Sequence, residues 1–238
     1  MKTKFLHIAT ALLFAGFTSS CSDFLDRYPL DELSDSSFWK TENDAMMAVT
    51  DIYGCLPTWD QDEDINSDNA VHGIKWAAGN ISKGIYDPMD QSWAGSYTPI
   101  RQCNLVLEKV KDIEMSDESR KKIEGQAYFF RAFVYFNLIR SFGDVPYIDK
   151  PLNLTDVEDI TRTPREEVYA KVMADFDKAI EYLPEEWDAA NTPRVTKGAA
   201  LAMKARAALY YNNWQVAADA SKAVMDLGKY ELYDAGNT

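Results

Sequence analysis

A chain of 238 residues with 46% apolar and 26% charged residues is long enough to bury a core and too apolar to stay disordered. Its net charge of −13 repels phosphate backbones and anionic lipid, which argues against nucleic-acid binding and against lying flat on a membrane. Three cysteines make no disulfide framework for a chain of this size.

The first residues, MKTKFLHIATALLFAGFTSSC, fall into three zones: Lys2 and Lys4, an apolar centre from Ile8 to Phe17, and a small-residue exit at Thr18, Ser19 and Ser20. That is the layout of a secretory signal, and the apolar centre is short of the roughly 20 residues that span a bilayer. Cleavage near Ser20 makes 1–20 a leader and 21–238 the mature chain, and the loss of Lys2 and Lys4 takes the charge from −13 to −15. Cys21, directly after the small residues, resembles the bacterial lipoprotein box, in which the thiol is acylated and becomes the new N-terminus. Thr18 stands where that box prefers leucine. The alternative is a plain secretory signal with Cys21 incidental. Acyl chains add about 0.8 kcal/mol of membrane affinity per buried CH₂, and stable anchoring takes two chains. A diacylated Cys21 would therefore tether the chain without spanning the membrane. The acids close behind it, Asp23 and Asp26, resemble a surface-export signal and point to the outer leaflet.

Thr41 and Asp44 open the first helix with a hydroxyl cap and early acids. Ala45, Val49, Ile52, Tyr53 and Leu56 keep its apolar face, and Pro57 ends it. From Trp59 to Gly95 the periodicity disappears. This stretch carries Trp59, Trp76 and Trp93, many Asp and Asn, and four glycines. A connection this long is uncommon in a compact domain and is usually functional or disordered; three tryptophans argue against disorder. Within it, Asp60, Asp62 and Asp64 alternate like the start of an EF-hand loop. Ile65 replaces the glycine at the sixth position and Val71 the glutamate at the twelfth, so calcium is a low expectation and a solvated acidic loop the better one.

The next helix carries Ile100, Leu105, Leu107 and Val110. Pro99 is either its first residue, capped by Thr98, or a kink in a helix that starts near Gln91. Ser116 then caps a long helix that Gly143 ends. Ile123, Ala127, Phe130, Val134 and Leu138 form one stripe on it; Phe129, Phe133 and Phe136 form another. A helix apolar on two faces is buried between neighbours, so these rings read as core packing. Arg131, inside that surface, needs a carboxylate partner in a structural ion pair. Thr163, Pro164 and Glu166 spell a capping box with proline at the first helical position. The helix behind them follows Val168, Val172, Phe176, Ala179 and Ile180 and stops before Pro184. Thr196 caps another, and Asn213 a last one that closes at Gly228. Cys55 and Cys103 read as buried small hydrophobes, with a single bridge between them as the alternative.

The last two helices span roughly 34 residues, the length of a tetratricopeptide repeat. Leu201, Ala205 and Ala217 suit its close-packed pair, with Tyr211 and Trp214 filling near the turn. Ser221 and Lys229 depart from it. The fold expectation is all-α, tetratricopeptide-like helical hairpins with a long irregular loop.

Enzyme signatures are sparse. Once His7 leaves with the leader, His72 is the only histidine, and no G-x-S-x-G elbow is present. Neither phosphate-loop nor dinucleotide glycine motifs occur. A carboxylate pair of the glycosidase kind stays open among 38 acids, and its test is separation in space. No catalytic residue is assigned.

Five segments taken together resemble the SusD/RagB family of nutrient-uptake outer-membrane lipoproteins. They are CSDFLDRYPLDELSDSSFWKTENDAMMAVTDIYGCL, YTPIRQCNLVLEKV, EGQAYFFRAFVYFNLIRSFGDVPYI, TPREEVYAKVMADFDKAIEYLP and RVTKGAALAMKARAALYYNNWQVAADASKAVMDLGKYELY, in the family's order. The third is the most specific. The resemblance implies a helical body with tetratricopeptide-like units that captures glycans at the cell surface. It implies delivery to a SusC-like TonB-dependent barrel transporter and no catalytic activity. Family members run to about twice this length, so 21–238 is expected to be the N-terminal helical portion without the C-terminal half. In the family the early loop carries part of the glycan platform. By position that makes Trp76, Asp68 and Asn80 the first candidates here, with Trp59 and Tyr86 behind them; Trp93 is expected in the core. Flat rings stack on sugar C–H faces and fixed Asp or Asn groups pair with hydroxyls. The plain alternative is that these residues fold the loop onto the helices, leaving a tetratricopeptide-like scaffold whose groove binds protein or peptide.

Overall fold

The computed structural model describes residues 38–57, 84, 93–156 and 159–232, and all of these except Phe38 belong to the unit Trp39–Thr238. Six α-helices run through the described residues, and the only β pairing among them is one isolated antiparallel bridge.

Helix α1, Glu42–Ile52, starts at a reciprocal cap. Thr41 Oγ1 accepts the Asp44 N–H at 3.3 Å, and the Asp44 carboxylate accepts the Thr41 N–H at 2.8 Å. Ala45, Val49 and Ile52 are buried at helical spacing. Leu56, expected on the same face, is 38% exposed. The chain passes into a 3₁₀ turn at Tyr53–Cys55, whose tighter winding swings later residues off the stripe.

Helix α2, Trp93–Lys109, contains Pro99 at a buried position, so the proline lies inside a helix rather than at its start. The turn ahead of it is anchored by Trp93, which packs edge-on against Phe142 at 4.8 Å and beside Tyr97 at 6.0 Å. That packing offsets the hydrogen bond a proline removes. Ile100, Cys103, Val106 and Leu107 are buried; Leu105 is half-buried.

Helix α3, Asp117–Phe142, is capped by Ser116 Oγ, which accepts the Ser119 N–H at 3.0 Å. Gly143 closes it at φ +70° and ψ −118°, a conformation that favours glycine, and donates to the Ile139 carbonyl. Both expected stripes are covered: Ile123, Ala127, Phe130, Val134 and Leu138 on one, Phe129 and Phe136 on the other, with Phe133 half-buried. The helix packs against α1, α2 and α4 (Arg165–Tyr182), which explains why it is apolar on two sides.

The capping box expected at α4 does not form. Pro164 sits at the cap, and Thr163 exchanges two backbone hydrogen bonds with Val145. The Arg165 N–H donates instead to Asp144 Oδ1 at 2.9 Å. A carboxylate from the turn after α3 thus takes the place of a local hydroxyl.

Helix α5, Lys197–Tyr210, is capped by Thr196, and α6, Trp214–Asp226, packs on α5 as α5 packs on α4. The α5–α6 turn uses Asn212 at φ +57°. Asn213 occupies the cap position of α6, but its side chain makes no capping bond there. Ala207 and Ala208 on α5 and Ala217 and Ala220 on α6 are buried small residues of this pair, with Ala205 only half-buried. Tyr211 stacks on Tyr169 at 4.4 Å, whereas Trp214, expected as filling, is 61% exposed. Succession of α3 to α6 as stacked hairpins is the expected helical-repeat arrangement.

Candidate functional site

Every residue proposed for ligand contact from the sequence (Trp59, Asp68, Trp76, Asn80 and Tyr86) lies outside the described residues, as do Cys21 and the acids Asp60, Asp62 and Asp64. What the structure describes is the frame from which that stretch departs and to which it returns. Its two ends are the Tyr53–Cys55 turn and the start of α2.

The frame is stiff. Gln102 on α2 donates its side-chain N–H to the Asp51 carboxylate on α1. Trp93 is half-buried against the core, with the Arg162 guanidinium 5.1 Å from its ring centre. Tyr97 donates its hydroxyl to the Pro146 carbonyl at 3.1 Å, and burial pushes its phenol up to about 12. Asn104 Nδ2 donates to the Ile148 carbonyl at 2.9 Å, and Tyr135 Oη takes the Ile148 N–H at 2.7 Å. The segment after Gly143 is therefore tied to α2 and α3 by side chains aimed at its backbone.

Beneath these ties lies Arg131, 7% exposed, which pairs with Asp175 and donates to Asn104 Oδ1 at 2.8 Å. Burial works against the Arg131 charge, but the Asp175 bonds outweigh it and hold the guanidinium above its ordinary value. The expected structural ion pair is present. Asp175 and Asn104 carried no functional assignment from the sequence. The signal for Asp175 is an acid on the stripe that holds Val172, Phe176 and Ala179.

Two of the clefts among the described residues adjoin the end of α1. One, of about 380 Å³, lies between α1, α2 and α3 where the long stretch begins and ends; Asp51, Ser96, Thr98, Gln102, Phe133 and Asn137 line it. Cys55 shares its wall, half-buried and free, with burial raising its thiol to about 11. Cys103 is buried and also free, which settles the bridge alternative between them. The second cleft, of about 280 Å³, is bounded by Thr50, Tyr53, Asn191, Thr192 and Arg194. Its arginine is already engaged, donating to Thr50 Oγ1 at 3.0 Å and Gln126 Oε1 at 3.2 Å. Among the described residues no group of three or more His, Cys, Asp or Glu could hold a metal ion, and no helix is long and apolar enough to cross a membrane.

Residues 23–209 match the SusD-like family, described as starch-binding and associating with the outer membrane. SusD-like protein P2 of Formosa agariphila is 29% identical over 240 residues, which is 94% of this chain and 46% of that protein. A SusD-like protein crystal structure from Bacteroides fragilis superposes with a TM-score of 0.75 at 28% identity, covering 87% of this chain and 42% of that one. A laminarin-binding SusD-like protein superposes with a TM-score of 0.70 at 24% identity, covering 78% of this chain and 43% of that one. The chain spans about half the length of the curated relatives it matches.

Proposed function

Since the chain belongs to the SusD-like family of outer-membrane-associated proteins, we propose that it binds glycan at the cell surface and hands it to a SusC-like TonB-dependent transporter. The observation that carries the reading is the family match over 23–209, which takes in α1, α2 and the whole stretch between them. In this reading Trp76, Asp68 and Asn80, with Trp59 and Tyr86, form this chain's part of the platform, and the helices hold it. Cys21 carries the acyl chains after 1–20 is removed, and 21–238 supplies the N-terminal helical portion of the binding body. The protein captures and transfers; it breaks no bond.

Isothermal titration of the chain against laminarin, amylose, xylan and mannan tests the binding step. One of them should bind, and Trp76→Ala should lower its affinity at least about tenfold, the loss of one stacking contact of about 1.4 kcal/mol. No heat with any of the four would sink the reading. Mass analysis of the mature N-terminus, with acylation of Cys21 expected, and co-purification of a barrel transporter test the anchor and the partner.

A further inference from the structure

We propose that the cleft between α1, α2 and α3 is a subsite for one pyranose unit of a neutral glycan, with Asp51, Gln102 and Asn137 pairing with its hydroxyls and Phe133 under its ring. The inference rests on the glycan reading and deepens it: it names a second point of contact, built on rigid helices.

Size is the first constraint. At about 380 Å³ the cleft stands at the low end of the roughly 300–1,000 Å³ that small-molecule sites occupy, which is room for a sugar ring rather than an extended polymer.

Chemistry is the second. Asn137 is half-buried on α3 and its side chain makes no hydrogen bond among the described residues, so that amide keeps both donor and acceptor. The Thr98 hydroxyl likewise makes none among the described residues. Gln102 gives one N–H to Asp51 and keeps its carbonyl oxygen, and Asp51 keeps a second carboxylate oxygen. Amides, a hydroxyl and one carboxylate together both donate and accept, as adjacent sugar hydroxyls require. Among the described residues no lysine or arginine lines the cleft, so an anionic ligand would meet Asp51 with no described cation beside it. Phe133 lies nearly parallel to Phe129, 11° apart at 6.3 Å, which fixes its ring where a sugar's C–H face could rest.

Placement is the third. Asp51 and Gln102 stand on the two helices that precede and follow the tryptophan-rich stretch in the chain, so the cleft lies at the base from which that stretch departs.

Gly54 supplies a clean test. A Cβ there meets nothing within 4 Å, so Gly54→Leu adds bulk at the cleft wall without a backbone clash. The probes are maltoheptaose and laminarihexaose, titrated into the chain and into Gly54→Leu, Asn137→Ala and Asp51→Ala, with thermal midpoints checking the fold. Each variant should lose about tenfold in affinity for the probe that binds, Asn137→Ala and Asp51→Ala by removing one or two hydrogen bonds and Gly54→Leu by occupying the cleft. A bound probe should also slow alkylation of Cys55, which shares the cleft wall, and should fail to do so in Gly54→Leu. If all three variants bind as the parent does while Trp76→Ala loses binding, the subsite is wrong and the glycan reading stands. If the parent binds neither probe nor any polysaccharide of the panel, both are wrong. Loss in the cleft variants with Trp76→Ala unaffected upholds the subsite and removes the platform residue.

Discussion

Arg131 and Asp175 meet as a two-pronged pair, Nε to Oδ2 and Nη2 to Oδ1, both at 2.7 Å. The two residues stand on α3 and α4, and both are nearly sealed from water, with side chains 8% and 9% exposed. The third arm of the guanidinium reaches Asn104 on α2, whose own amide holds the Ile148 carbonyl. One arginine therefore ties three helices and, through Asn104, the segment that follows α3. Its parallel geometry suits guanidinium and not ammonium.

Breaking that pair from one side should be costly. Arg131→Met or Asp175→Asn leaves a buried partner uncompensated, a loss of about 3–5 kcal/mol. The double variant Arg131→Met/Asp175→Leu should lose less than either single, because no charge stays behind. Urea unfolding of the four proteins measures the cycle. Additive losses would mean the pair is not coupled.

Interactions that close within one turn are legible in the sequence. Thr41, Ser116 and Thr196 cap as expected because each bonds an amide three residues on. The need of Arg131 for a carboxylate was legible too, but not its partner 44 residues away. The cap of α4 failed for the same reason: Asp144 reaches Arg165 across 21 residues, and Thr163 goes to Val145. Trp214 reads as filling by spacing alone, but whether a ring on the outer helix is covered depends on a neighbour, which spacing does not report. The cleft joins Asp51 to Gln102 across 51 residues, so the sequence could mark the aromatic stretch and not the polar walls at its base.

Two glycines should respond differently to alanine. A Cβ at Gly125 falls 3.0 Å from Tyr182 Cβ and 3.1 Å from Leu183 Cγ, atoms held by α4's last turn. Overpacking of about 1–3 kcal/mol should outweigh the ~1 kcal/mol alanine gains over glycine in a helix. At Gly198 the obstruction is the far end of the exposed Tyr230 ring, which can swing away. Gly198→Ala should therefore keep the parent's urea midpoint while releasing the Tyr230 hydroxyl from Thr196, visible as a change in tyrosine fluorescence.

Thiol chemistry should separate the two free cysteines. With its thiol near 11, Cys55 at pH 8 is thiolate about a thousandth of the time, so alkylation should run roughly 200-fold slower than at an ordinary thiol. Burial raises Cys103 further and also blocks access. Iodoacetamide followed by peptide mass analysis should mark Cys55 slowly, faster as pH climbs toward 11, and mark Cys103 only after unfolding. Prompt labelling of Cys103 in the native chain would show that the α1–α2 contact opens.

Acid should weaken the fold through carboxylates held at helix starts and in one turn. Asp44 accepts from the Thr41 hydroxyl and from the Thr41 and Lys40 amides, and the Thr41 hydroxyl leads in holding it below its ordinary 3.8. Glu118, bonded by Lys122, and Asp188, bonded by Asn191, move the same way. A carboxyl depressed in the folded chain takes its proton later than in the unfolded one. Its stabilisation is thus fully present above the unfolded value near 4 and is lost as pH falls through the folded one. The urea midpoint should hold from pH 7 to about 5 as far as these groups are concerned, then decline below about 4. Thr41→Ala should restore Asp44 toward its ordinary titration, read by carboxyl chemical shifts, and should flatten that decline. An unchanged Asp44 titration in Thr41→Ala would refute the cap as the source of the shift.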